Sequence, residues 1–129
     1  MKLRAIFIGL VMLIGLVPGV VRPAALLQPL MVGFDHYFKI DWRMEGRQGQ
    51  PVVFGHIFND AGFGAANVRL LIEGLDDRGA VLNQRVAWLG TLLTPGTTAP
   101  FEVVAAGPAP AYRVRVFSFD WVQRGKGVR

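Results

Sequence analysis

The sequence predicts an all-β protein: an immunoglobulin- or fibronectin-III-like antiparallel β-sandwich, preceded by one N-terminal hydrophobic helix. Three observations carry that expectation. After residue 33, apolar and polar residues alternate with a period of two; these runs are separated by Gly, Pro, Asn and Asp; and no stretch there has helical periodicity. At 129 residues the chain suits one domain with a real core.

The leading segment is of a different kind. "MKLRAIFIGLVMLIGLVPGVV" has a short basic start, an uninterrupted apolar run, and then the helix-breaking pair Pro18-Gly19. The run comprises Ala5, Ile6, Phe7, Ile8, Leu10, Val11, Met12, Leu13, Ile14, Leu16 and Val17, with Gly9 and Gly15 between them. No polar residue recurs at helical spacing, which excludes a surface helix of a soluble core. Residues 1–22 are therefore expected to be a signal peptide or an uncleaved membrane anchor, with retention preferred because no clean Ala-x-Ala site follows. Uncleaved, Ala5 to Val21 is near the lower length limit for crossing a bilayer. Lys2 and Arg4 then stay cytoplasmic, and the rest lies outside a bacterial-type inner membrane. Cleavage would instead release the domain to the periplasm. Residues 23–33 form a linker, in which Pro29 interrupts any helix.

The sandwich is expected over residues 34–123. Phe34, His36, Phe38, Ile40, Trp42 and Met44 alternate with Asp35, Tyr37, Lys39, Asp41, Arg43 and Glu45, giving a first strand with one buried face. Gly46 to Pro51 reads as a turn and residues 52–59 as a second strand, in which Gly55 marks a bulge or a close backbone approach. Residues 59–67 supply Asn, Asp and Gly for a loop, and 68–75 a third strand. Asp76-Asp77-Arg78-Gly79 makes a tight reversal. Residues 80–92 form a strand that bends or breaks near Asn83, and Pro95-Gly96 is a further turn. Residues 100–105 and 112–122 complete about seven strands. The last six residues, 124–129, are a basic tail.

Composition removes several functions. The net charge of +5 comes from residues at the chain ends (Lys2, Arg4, Arg22, Arg124, Lys126, Arg129), and the body between is close to neutral, so a nucleic-acid partner is not expected. The absence of cysteine excludes disulfides, thiolate metal sites and a thiol nucleophile. His36 and His56, the two histidines, have neither the spacing nor the acidic company of a metal site, so no metal is expected. His36 is instead expected to be partly buried on the first strand's apolar face. Asp76 and Asp77 are explained by their turn rather than by calcium or paired-carboxylate chemistry. No nucleophile elbow or phosphate loop occurs, and neither a cofactor nor an enzymatic activity is expected.

"GHIFN", "NVRLLIEGLDDRGAVL", "LGTLLTPGTTAPFEV" and "YRVRVFSFDWV" together resemble the FxLYD-type envelope domains and the related late-embryogenesis-abundant sandwiches, over about residues 52–122. Ile72, Gly74 and Leu75 depart from the naming motif, and Asp76 matches it. The resemblance implies a secreted or anchored accessory module without a catalytic role.

The last strand contains a conflict of phase. Tyr112, Val114 and Val116 alternate on one face, whereas Phe117, Phe119 and Trp121 fall on the other, with Arg113 and Arg115. A β-bulge at Val116-Phe117 would turn both apolar sets inward. A regular strand would instead expose Arg113, Arg115, Phe117, Phe119 and Trp121 as a cationic and aromatic stripe, a candidate partner-binding surface. "FKIDWRMEGR" near the start echoes "FSFDWVQRGK" near the end. Neighbouring first and last strands, each needing bulky alternate residues, account for the echo. The function expected is a non-catalytic, exported or membrane-anchored scaffold subunit using protein–protein contacts. The rival is a soluble exported binder of a small apolar or glycan ligand, held between the sheets or on Trp42, Trp88 and Trp121.

Overall fold

The computed structural model describes residues 25–30 and 35–122. A 3-10 turn (Asp35–Tyr37) leads into six strands: β1 (Phe38–Arg47), β2 (Gln50–Asn59), β3 (Gly64–Leu75), β4 (Val81–Trp88), β5 (Thr98–Val104) and β6 (Ala111–Val122). Sheet A has the order β1-β2-β5 and sheet B the order β4-β3-β6, all neighbours antiparallel. Among the described residues there is no α-helix, in keeping with an all-β fold of two layered sheets. The expected N-terminal helix, with Ala5 to Val17, lies outside the described residues, as does the basic tail.

The core forms where the two sheets face each other. Val53 and Ile57 of β2, Val68, Leu70 and Ile72 of β3, Phe101 of β5, and Val114 and Phe119 of β6 are buried together. Each such side chain contributes about 1.5–3 kcal/mol on leaving water. Alternate residues on β2 and β3 supply this face, as a period of two demands.

Turn chemistry sets the register. Gln48 and Gly49 have φ of 52° and 79°, and Arg47 pairs with Gln50, so β1 and β2 are joined by a two-residue primed turn. The Asp76 carboxylate accepts the amides of Arg78 and Ala80 at 2.8 Å each, which closes the β3–β4 reversal. Gly96 has φ of 75° and the Thr97 amide donates to the Thr94 carbonyl, so Pro95-Gly96 holds the expected turn. Gly55 is a close approach: a Cβ there would run into the Asp41 carbonyl oxygen and lie 2.7 Å from the Trp42 Cα.

Several expectations need correction. Among the described residues there are six strands, not about seven. The first strand starts later than expected because residues 35–37 coil, and it runs on to Arg47 because the turn takes only two residues. His36 is consequently exposed in the 3-10 turn rather than half-buried on a strand. Phe38 and Ile40 do face inward, but Trp42 and Met44, in the same phase, are exposed. The predicted bend near Asn83 corresponds to a register shift that leaves Leu82 unpaired opposite Gly74 and Leu75.

Candidate interaction surface

β6 carries the residues singled out as a stripe, and a bulge divides them. Leu70 pairs with Val116 and Arg69 with Ser118, so Phe117 is the extra residue. Tyr112, Val114 and Val116 face the core before the bulge, and Phe119 and Trp121 face it afterwards. Arg113 and Arg115 take the outer face of sheet B. The five residues therefore do not form one exposed stripe. Phe119 is 4% exposed. Its ring meets Phe38 at 5.1 Å and Trp121 at 4.6 Å, and Tyr37 and Phe63 pack against Trp121 at 5.6 and 6.0 Å. Half-buried Phe117 offers its carbonyl to the Leu30 amide at 2.8 Å.

The outer face of sheet B holds a charged group the sequence reading missed. Glu73 on β3 is 1% exposed. Its carboxylate accepts Arg113 Nε at 2.8 Å, Arg115 Nη2 at 3.0 Å and Gln84 Nε2 at 3.0 Å. Burial pushes the carboxyl up, but the hydrogen bonds from Arg113 and Gln84 and the charges of Arg115 and Arg113 outweigh it, holding the group below the ordinary glutamate range. A carboxylate so fully engaged is a staple across three strands rather than a proton donor. Its signal lay in "RLLIEGL": Leu70, Leu71 and Ile72 are consecutive and all buried, as happens where both faces of a strand are covered.

What covers that face is the chain itself. Residues 25–30 cross sheet B as a strap. The Leu27 amide donates to Gln84 Oε1 at 2.9 Å, and Gln84 Nε2 returns a bond to the Leu27 carbonyl at 3.0 Å. With the Leu30 bond to Phe117, the strap is tied to β4 on one side and to β6 on the other. Leu26, Leu27 and Leu30 nevertheless keep much of their surface exposed, Leu30 as much as 68%.

The strand edges differ in their protection. β1 presents Lys39, Asp41, Arg43, Glu45 and Arg47 on the outer face of sheet A, tied up in ion pairs such as Arg47–Glu102 at 3.0 Å and Lys39–Asp60 at 3.4 Å. β5 contains Pro100 and Glu102, and β6 has the strap. β4, "VLNQRVAW", has no Pro, one charged residue (Arg85) and an exposed Trp88, 67% open. At the same end of the sandwich a groove of about 580 Å³ is lined by Phe63, Leu92, Thr94, Pro95 and Val122.

The three tryptophans do not make one platform. Trp42 Nε1 donates to the Tyr112 carbonyl at 2.8 Å at the start of β6, Trp121 packs in the aromatic cluster near its end, and Trp88 closes β4. His56 Nδ1 lies 3.2 Å from Asp41 Oδ1 on the outer face of sheet A. Among the described residues no group of three or more His, Cys, Asp or Glu is placed to hold a metal. No family model matches the chain, and no curated protein or solved structure is significantly similar to it.

Proposed function

We propose that the chain is a non-catalytic β-sandwich, anchored through residues 1–22 in a bacterial-type inner membrane with its domain on the periplasmic side, which serves as a scaffold subunit of an envelope complex. The observation that carries this reading is the β4 edge: eight residues of strand with one charge, ending in exposed Trp88 beside the Phe63–Leu92–Val122 groove. Exposed edges of this kind accept a strand from a partner, and apolar grooves beside them give such pairing its specificity. Leader cleavage would leave the same surface on a periplasmic protein.

Two features support an immunoglobulin- or fibronectin-III-like class. The orders β1-β2-β5 and β4-β3-β6 match an A-B-E sheet facing C′-C-F. The Tyr112 hydroxyl donates to the Gly107 carbonyl five residues upstream, as the tyrosine corner of such domains does. The FxLYD-type resemblance is carried as part of the same proposal, with Ile72 to Asp76 at the end of β3 and its turn.

A photoreactive residue at Arg85 or Trp88 tests the reading in native membranes, with one at Lys39 as control. A discrete adduct from the β4 sites alone supports it, and equal labelling from all three overturns it. The groove also favours a second reading, a soluble exported binder of a small apolar or glycan ligand. That reading predicts ligand-dependent changes in tryptophan emission that Leu92→Asp abolishes.

A further inference from the structure

We infer that the outer face of sheet B, with its strap, rests on an anionic phospholipid bilayer, so that the domain lies flat with the β4 edge directed along the membrane plane. The inference builds on the anchoring proposed above. Its first support is reach. Leu27 follows the last apolar residue of the leader, Val21, by only six positions, a span of at most about 20 Å when fully extended. Because Leu27 is bonded on both sides of its peptide to Gln84, that limit applies to β4 itself, not to a loosely tethered domain.

The second support is the contrast between the two outer faces. The outer face of sheet A carries the Arg47–Glu102 pair and the Asp41–His56 hydrogen bond, its central Phe54 lies under the guanidiniums of Arg43 and Arg47, and among the described residues Val104 is its one exposed large apolar side chain. Sheet B presents Leu26, Leu27 and Leu30 on the strap and Trp88 at the end of β4. Leucine and tryptophan side chains open to solvent on one face are what the region between headgroups and acyl chains accommodates.

The described residues on this side are balanced in charge, and the excess of cations comes from the two chain ends. Around the strap stand Arg69, directly opposite Trp88 in the sheet, and Arg113 and Arg115, whereas Arg85, paired with the core residue Ile72, takes the other face of β4. Of the acids on this side, Glu73 is paired with Arg113 and Arg115, and Asp120 accepts a hydrogen bond from the uncharged Asn67 amide at 2.8 Å. Asp76 and Asp77 sit in the β3–β4 turn, with Arg78. Arg22, just before the strap, and Arg124, Lys126 and Arg129 after β6 add cations at both chain ends. Basic residues flanking an apolar patch strengthen attachment to anionic lipid and weaken it as salt rises.

The absence of cysteine makes the test clean. Single replacements Leu13→Cys, Leu27→Cys, Leu30→Cys, Trp88→Cys, Arg43→Cys and Glu102→Cys in the full chain take an environment-sensitive fluorophore, and each protein is reconstituted into phosphatidylglycerol-containing bilayers with or without brominated acyl chains. Brominated lipid is expected to quench labels at 27, 30 and 88 by about half, consistent with burial ~5–10 Å below the surface, and to leave 43 and 102 unchanged. Quenching at 13 with none at 27, 30 and 88 overturns the orientation while the anchor stands. Quenching at 27 and 30 without quenching at 13 supports the lipid surface and removes the anchor. No quenching anywhere overturns both. Protection of 27 and 30 that appears only with added membrane proteins, or only as the concentration of this chain rises, assigns the face to a protein partner or a second copy and overturns the inference.

Discussion

Replacing Glu73 by Gln keeps the shape of the side chain and removes its charge, which isolates what the buried carboxylate does. In the native chain it receives Arg113 at 2.8 Å, Arg115 at 3.0 Å and Gln84 at 3.0 Å. Breaking a fully buried ion pair costs about 3–5 kcal/mol. The side chains of Arg113 and Arg115 are 39% and 33% exposed and can recover hydration, so the expected cost is lower, about 2 kcal/mol. Urea is the suitable denaturant, because guanidinium is a salt and screens the interaction being measured. With a slope of about 1–2 kcal/mol per molar, the unfolding midpoint should fall by about 1–2 M at pH 7. The folded-state pKa of Glu73 is lowered, so its stabilisation is fully present above the unfolded-state value near ~4.3 and is lost as the pH falls through the folded-state value. The gap between native and Glu73→Gln midpoints should therefore be constant above about pH 5.5 and shrink below about pH 4. Equal midpoints at pH 7, or a gap that persists unchanged into strong acid, would refute the assignment of Glu73 as a charged staple.

Three other substitutions probe the backbone and a side chain that ties it down. Gly55→Ala sets a Cβ against the Asp41 carbonyl of the neighbouring strand and should cost more than about 3 kcal/mol, whereas Gly46→Ala, with open space around it, should cost under about 1 kcal/mol; thermal unfolding of both variants checks the difference. Asn59→Ala removes the bonds from Nδ2 to the Phe63 and Leu93 carbonyls, each 2.9 Å, and from the Ala61 amide to Oδ1 at 2.8 Å; a loss of about 3 kcal/mol, or about 10–20 °C in Tm by calorimetry, is expected.

Much of the fold was legible because period-two patterning and turn residues act locally. A turn within Gly46 to Pro51, the reversal at Asp76 and the bulge at Phe117 each follow from a few neighbouring residues, although the pairing of Gly46 with Pro51 and Arg47 with Gln50 narrows the first to Gln48-Gly49. Trp42 and Met44 were misplaced for a different reason. Alternation tells which face a side chain takes, but not whether the opposite sheet extends far enough to cover it, and β1 lies at the edge of sheet A. The strap was illegible because its bonds run through Gln84 and a bulge carbonyl, contacts that no local pattern encodes. Glu73 could have been found: a lone acid inside a continuous apolar run requires counterions, and Arg113 and Arg115 were the cations left over when the last strand's phase was resolved.

The stitch from Leu30 to Phe117 also constrains the order of assembly. It joins a residue that precedes the six described strands to one in the last of them, so a part of the domain made early is among the last to find its place. Until β6 arrives, the Glu73 carboxylate lacks both guanidiniums and sheet B lacks a flank. The described domain therefore closes sheet B only once β6 has been made, and a chain stopped before Ala111 is left with a buried-type carboxylate and no cation to meet it.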